Sequence, residues 1–186
     1  MTERILVAYS TVDGHTQEIC TRIAEILSAA GHAVTQASFD EPTMQSPSAF
    51  DRIVVGASVR YGKHRGNVVD WIDRYAEVLG SRPSAFFSVN LVARKPGRDR
   101  VETNAYVQRF LKRIDWHPDV IAIFAGKLNY PLYSFWDRQV IRLIMWMTKG
   151  PTNPDAVVDY TDWDRVEAFA QALLRLDRAA VNPAST

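Results

Sequence analysis

The chain has 186 residues, 47% of them hydrophobic and 23% charged, with a formal net charge of +1. That length suits one domain with a full core, and the near-balance of 22 basic and 21 acidic residues argues against a disordered chain or a generally basic nucleic-acid binder. A single cysteine, Cys20, excludes an intrachain disulfide and a cysteine metal cluster, and no metal site is expected.

Ile5-Leu6-Val7-Ala8-Tyr9 is a short apolar run of the kind a parallel strand buried on both faces shows. A helix follows over residues 16–30, where Ile19, Ile23, Ile26 and Leu27 recur at helical spacing, and Gly31 ends it. Cys20 sits beside this stripe as a small core residue. Strands are predicted over 33–38, 52–58, 84–89 and 119–124, and helices over 67–79, 102–114 and 163–176. Thr161 and Asp164 have the spacing of a helix N-cap and its reciprocal partner. The small polar tail 180–186 is expected to fray.

Strands alternating with helices imply a parallel sheet covered on both faces, hence an α/β doubly wound domain. The whole chain, 1–186, reads as one domain. The start Met1-Thr2-Glu3-Arg4 leads straight into a strand without the apolar core of a signal peptide. No uncharged apolar stretch reaches the roughly 18 residues of a spanning helix, so a cytoplasmic placement is expected.

The strongest chemical signal is the loop Ser10-Thr11-Val12-Asp13-Gly14-His15-Thr16 between the first strand and first helix. Ser10, Thr11 and Thr16 offer hydroxyl donors, Gly14 permits a tight turn, and the helix points its free N–H groups and positive dipole end at the loop. Such a nest holds a phosphate without a cationic side chain. It lacks the Gly-Lys-Ser/Thr ending of a Walker loop and the three glycines of a Rossmann turn. Asp13 is expected to turn its carboxylate away from the phosphate and offer only its N–H, and His15 to be a solvated loop residue.

In open doubly wound sheets, ligands bind at the carboxyl ends of the strands beside the switch in strand order. The third strand ends in Gly56-Ala57-Ser58-Val59-Arg60-Tyr61-Gly62 and the fourth in Ser88-Val89-Asn90-Leu91-Val92. Tyr61 suits stacking on a flat ring, Gly62 a close backbone approach, and the backbone and amide of Asn90 the polar edge of that ring. His64 reads as an exposed loop residue.

The loop Thr11-Val12-Asp13-Gly14-His15-Thr16 resembles the phosphate loop of flavodoxins, with Asp13 departing from the hydroxyl residue usual there. The segments 57–62, 83–96 and Tyr160-Thr161-Asp162-Trp163 resemble a narrower branch, the flavodoxin-like, quinone-dependent protoporphyrinogen oxidases of bacterial heme synthesis. The resemblance covers nearly the whole chain and implies a five-stranded sheet of order 2-1-3-4-5 with an insertion after the fifth strand, at about 128–154. It implies FMN bound by Ser10, Thr11, Val12, Asp13, Gly14, His15, Thr16, Ala57, Ser58, Arg60, Tyr61, Gly62, Ser88, Val89, Asn90 and Leu91. The implied substrate is protoporphyrinogen IX, and the acceptor a quinone (menaquinone or ubiquinone). Six electrons leave the macrocycle, so the flavin turns over three times per substrate, and no side-chain nucleophile is required.

The insertion includes Tyr130-Pro131-Leu132-Tyr133-Ser134-Phe135-Trp136 and then reads as a helix over 137–147. Arg138 and Arg142 share one face, with Ile141, Ile144, Met145 and Trp146 on the others. Trp136, Arg138, Arg142 and Trp146 are therefore expected to meet the porphyrinogen, the quinone or a membrane surface, with the protein peripheral on the inner face of the cell membrane. The plainer alternative is a core helix with exposed arginines. Rival functions are an electron-carrying flavodoxin, disfavoured by the balanced charge, and an NAD(P)H:quinone reductase, for which no nicotinamide marker appears. A homo-oligomer stays open.

Overall fold

A computed structural model of the protein describes residues 1–41, 44–147 and 150–176. The expected frayed tail lies outside them. Five parallel strands form the sheet: β1 (Arg4–Ser10), β2 (Ala33–Ser38), β3 (Arg52–Arg60), β5 (Ser84–Val89) and β6 (Val120–Phe124). They run in the order β2-β1-β3-β5-β6, and a short β4 (Lys63–His64) folds back antiparallel on β3. Since β4 is only a hairpin strand, the main order is the expected 2-1-3-4-5.

The strands read as unbroken apolar runs because both faces are covered. Leu6, Ala8, Ile53, Val55 and Phe86 pack on one side against Val68, Ile72, Leu79, Val107 and Phe110. These come from α2 (Gly66–Arg74), α3 (Ala76–Gly80) and α4 (Ala105–Leu111). Ile5, Val7, Val54, Ala85 and Phe87 pack on the other side against Ile19, Ile23, Leu27, Phe169 and Leu173, which lie on α1 (His15–Ala29) and α6 (Trp163–Leu174). Cys20 is fully buried in this second layer, as expected. Gly56 pairs with Phe87, and a Cβ there would stand 2.3 Å from the Phe87 ring, so the close approach requires glycine.

Beyond shifts of a residue or two at element ends, several features differ from expectation. The helix expected over 67–79 is two helices, broken at Tyr75, where φ is −118° and ψ 19°. The helix expected over 102–114 is shorter, because Asn104 caps it by accepting from the Val107 N–H. The last helix is capped by Asp162, whose carboxylate accepts from the Arg165 N–H, not by Thr161; Thr161 instead donates to the Ala125 carbonyl. Finally, a two-stranded antiparallel sheet, β7 (Lys127–Asn129) with β8 (Val157–Asp159), frames the insertion.

Between β7 and β8 lies α5 (Phe135–Met147). Leu128, Tyr130, Tyr133 and Met145 form a small separate core, joined by Leu91, Val158 and Tyr160. Ser134 caps α5 by accepting from the Asp137 N–H, and Tyr130 donates from its hydroxyl to the Pro151 carbonyl. No helix among the described residues is long and apolar enough to cross a membrane.

Candidate functional site

The carboxyl ends of β1, β3 and β5 converge with α5 on a cleft of about 290 Å3. It is lined from the first loop by Thr11, Val12, Asp13, His15 and Thr16, and from the second by Ser58, Val59, Arg60, Tyr61 and Gly62. Val89, Asn90, Leu91 and Val92 line it from the third loop. Ser10, Ala57 and Ser88 are fully buried at the strand ends behind it. Gly14 holds a left-handed conformation, φ 83°, as the N-cap of α1.

Two hydroxyl oxygens at this loop, Ser10 Oγ and Thr16 Oγ1, are buried yet have no hydrogen-bond partner. An unpaired buried polar group costs about 1–3 kcal/mol, so two beside a helix N-terminus mark a place built for an acceptor-rich ligand. The 15-residue α1 aims its free N–H groups there as well. Thr11 Oγ1 accepts from the Gly14 N–H at 3.0 Å and fixes the turn. The donor set fits a flavin phosphate.

Asp13 does not simply face away, as expected. Its carboxylate lines the cleft and pairs with Arg60 at 2.8 Å. Burial raises the Asp13 carboxyl pKa above its ordinary value, with Arg60 opposing that shift. The second prong of Arg60 holds Asp137 of α5 at 2.9 Å, and its guanidinium lies over the rings of Tyr61 and Tyr133. Tyr61 donates its hydroxyl proton to Asp137. Hydrogen bonds from Tyr61 and Ser134, together with Arg60, hold the Asp137 carboxyl below its usual range. One arginine thus ties the phosphate loop, the β3 hairpin and the insertion together. A carboxylate in a phosphate loop demands a compensating cation, and that demand was the only sequence signal for Arg60–Asp13.

Two histidines contradict expectation. His15 is buried, not solvated: Nδ1 meets Glu18 at 2.8 Å, Nε2 meets Thr161 Oγ1 at 2.6 Å, and the ring stands edge-on to Trp163. It anchors α1 to the start of α6. His64 is only 5% exposed, with Nε2 at 2.9 Å from Ser88 Oγ and its ring against Phe110. Burial lowers its pKa to about 4, so it is neutral at physiological pH. From Ser88 the bonds continue inward. The Asn90 amide donates to Ser88 Oγ, while its carbonyl accepts from Asn104 and from the Ala93 N–H. The Asn90 side chain is therefore used in shaping the third loop rather than left free for a ligand.

The insertion residues are sorted differently from expectation. Trp136 and Trp146 are 77% and 71% exposed on the outer side of α5. Arg138 and Arg142 are half-buried and hold the insertion's own backbone, Arg138 donating to the Tyr133 carbonyl and Arg142 to that of Thr152. None of these four lines the cleft, whose roof is Asp137, Val140, Ile141, Ile144 and Met145. Arg94, Tyr106, Gly126, Lys127 and Tyr133 also line it, none of which the sequence singled out as a binding residue.

A sequence model of the flavodoxin domain matches residues 6–155. The chain is 41% identical to protoporphyrinogen IX dehydrogenase [quinone] of Escherichia coli strain K12 over 93% of its own length and 96% of that protein. It is 36% identical to the Leishmania major protein of the same name, over 95% of this chain and 77% of the other. The chain belongs to the flavodoxin-domain family of quinone-dependent protoporphyrinogen IX dehydrogenases. The solved structure of oxidised flavodoxin 2 from Bacillus cereus is similar in fold, with a TM-score of 0.54 at 18% identity over 92% of this chain and 98% of that one. Membership in a flavodoxin-domain family implies a flavin, and the three loops at one sheet edge are its candidate site.

Proposed function

We propose that the protein oxidises protoporphyrinogen IX to protoporphyrin IX in heme biosynthesis, using bound FMN, and passes the electrons to menaquinone or ubiquinone. The reaction rests on the 41% identity over 93% of the chain to the Escherichia coli dehydrogenase. FMN rather than FAD is favoured by a phosphate loop with two unpartnered buried hydroxyls and no adenine-binding motif beside it in the sequence. When bound, the flavin supplies the electron-transfer chemistry.

The chain's residues bind and orient. Ser10, Thr16 and the first turn of α1 hold the phosphate. Arg60 neutralises Asp13, which would otherwise repel it. Tyr61, projecting from its hairpin, offers a ring face. Val140, Ile141 and Ile144 roof the cleft and exclude water from the porphyrinogen, whose body is apolar. Trp136 and Trp146 face outward toward the substrate, the quinone or the membrane that carries it, while Arg138 and Arg142 keep the insertion in shape. The protein works at the inner face of the cell membrane without crossing it.

Anaerobic assay of purified protein for porphyrinogen oxidation, with and without a quinone, tests the reaction; no quinone-dependent turnover would refute it. Chromatography of the heat-released cofactor distinguishes FMN from FAD. Thr16→Ala removes a hydrogen bond to a charged group, about 1.5–3 kcal/mol, and weakens FMN binding by roughly ten- to a hundredfold. Thr16→Glu weakens it further by bringing a like charge to the dianion. Unchanged affinity in both variants, measured by titration of the apoprotein, would overturn the assigned loop.

A further inference from the structure

Next to the flavin cleft lies a second, open groove of about 750 Å3, lined by Lys63, Arg65 and Arg113. The two cavities meet at the β3–β4 hairpin, where Thr11, Val12, Arg60, Tyr61 and Asp137 border both. We propose that this groove is the subsite for the carboxylates of the substrate, with Lys63 and Arg113 as the contacting cations. The inference rests on the reaction proposed above and adds the place where the substrate's anionic edge is read.

The hairpin geometry is the first support. Arg60 pairs with Lys63, and the two residues between them, Tyr61 and Gly62, have φ of 50° and 76°, as a two-residue type I′ turn requires. A left-handed conformation is costly for tyrosine, and such strain persists where surroundings hold it. Here the hydroxyl bond to Asp137 holds it, and the ring stands 73% exposed between the two cavities. A macrocycle lying against that ring has its apolar body on the side of the apolar cleft and an edge over the groove.

Charge is the second support. Arg60 is committed to Asp13 and Asp137, and Arg65 to Asp40 at 2.6 Å. Lys63 and Arg113 line the groove with no ion-pair partner among the described residues. Arg109 adds positive charge at the tip by donating to the Gly62 carbonyl at 3.5 Å. Protoporphyrinogen carries its two propionates on one edge of an otherwise apolar ring. Two free cations on one side of a tyrosine and an apolar cleft on the other match that division, and an arginine meets a carboxylate with two parallel N–H bonds.

The test is binding of protoporphyrin IX and of its dimethyl ester to the flavin-loaded protein, read by fluorescence in dilute detergent, for wild type, Lys63→Ala, Arg113→Ala and Lys63→Glu/Arg113→Glu. Exposed ion pairs predict a loss of about two- to fivefold for each neutralisation and a larger loss for the double reversal. Salt should weaken wild-type binding toward that of the double variant. Ester binding and FMN affinity should not change, and the variants should raise KM for porphyrinogen more than they lower kcat. Equal losses for acid and ester, or no loss for either, would overturn the subsite while leaving the reaction standing. Unaltered porphyrin binding together with weaker attachment to phosphatidylglycerol vesicles would make the groove a lipid contact instead. Failure of the wild type to bind acid or ester would remove the subsite and the substrate assignment together.

Discussion

The doubly wound sheet and the insertion solve the burial problem in opposite ways. Along β1, β3 and β5 nearly every apolar residue is buried, because helices cover both faces of the sheet. Along α5 only Met145 is buried, while Phe135, Trp136, Val140, Leu143, Ile144, Trp146 and Met147 stay exposed. The arginines of that helix point inward to carbonyls, the reverse of an ordinary surface helix. A protein that seals one region so completely and leaves another apolar presents the second as a candidate contact surface, the role proposed above for α5. On the proposed reading, stability resides in the sheet and the apolar contact in the insertion.

The largest test of that division compares two truncations. Phe87→Ala removes a fully buried ring packed against Phe124 and Phe169 and should cost about 3–5 kcal/mol in urea unfolding. Leu143→Ala on the outer face of α5 should change stability by less than about 0.5 kcal/mol. Comparable losses at the two sites would erase the distinction.

Next in size is replacement of residues 130–156 by an Asn-Gly turn joining β7 to β8, a connection that suits their antiparallel pairing. The sheet and phosphate loop should survive, so flavin stays bound and reducible by dithionite. Porphyrinogen turnover should fall by about a hundredfold or more, because the roof that positions the substrate is gone. FMN affinity should fall modestly too, since Arg60 loses Asp137. Loss of folding would mean the insertion is structural.

The same contrast governs what sequence alone reveals. Ile5 to Tyr9 and Ile53 to Val55 are legible as strands because two-sided burial leaves unbroken apolar runs. The phosphate loop is legible because its chemistry is local. Arg60–Asp13 spans 47 positions and His64–Ser88 spans 24, so neither contact has a local pattern. The strands β7 and β8 have three residues each, too few for a period. In α5 apolar residues surround the helix, and residues outside it in sequence, among them Leu91, Leu128, Val158 and Tyr160, decide which side faces inward.

A third, smaller effect tests the polar base of the site. His64 is buried neutral with a pKa near 4, against 6.5 when free. Between those values the unfolded chain binds a proton that the native protein does not. Stability from this residue is therefore complete above about pH 6.5 and lost as pH falls toward 4. At pH 5 the loss is about 2 kcal/mol relative to neutral pH. His64→Gln keeps a group able to bond Ser88 but does not titrate. The wild type should thus lose about 2 kcal/mol more than the variant between pH 7.5 and 5, read from urea midpoints. Parallel pH profiles would show that His64 protonates without strain in the fold.

The smallest expected effect on stability is the most telling for the insertion. Trp136 and Trp146 occupy the two ends of α5, both on the outside, and neither lines the cleft. Replacing both with serine removes apolar surface that the folded protein leaves in water, so the urea midpoint should stay within about 0.5 kcal/mol of wild type. FMN affinity should not move, because the roof residues Val140, Ile141 and Ile144 remain. What should change is the meeting with an apolar phase. Indole rings sit well at the boundary between headgroups and acyl chains, and an outward apolar helix face binds there in proportion to the area it buries. Attachment to phospholipid vesicles, followed by flotation, should weaken several-fold, and turnover with a vesicle-embedded quinone should fall with it. Turnover with a short-chain, water-soluble quinone should be preserved, since that acceptor needs no membrane. If the double variant binds vesicles like wild type and loses activity with both quinones, the tryptophans serve the porphyrinogen rather than the bilayer. If it unfolds, α5 is held in place by its outer face, and the separation of stability from recognition fails at the point where the two regions differ most.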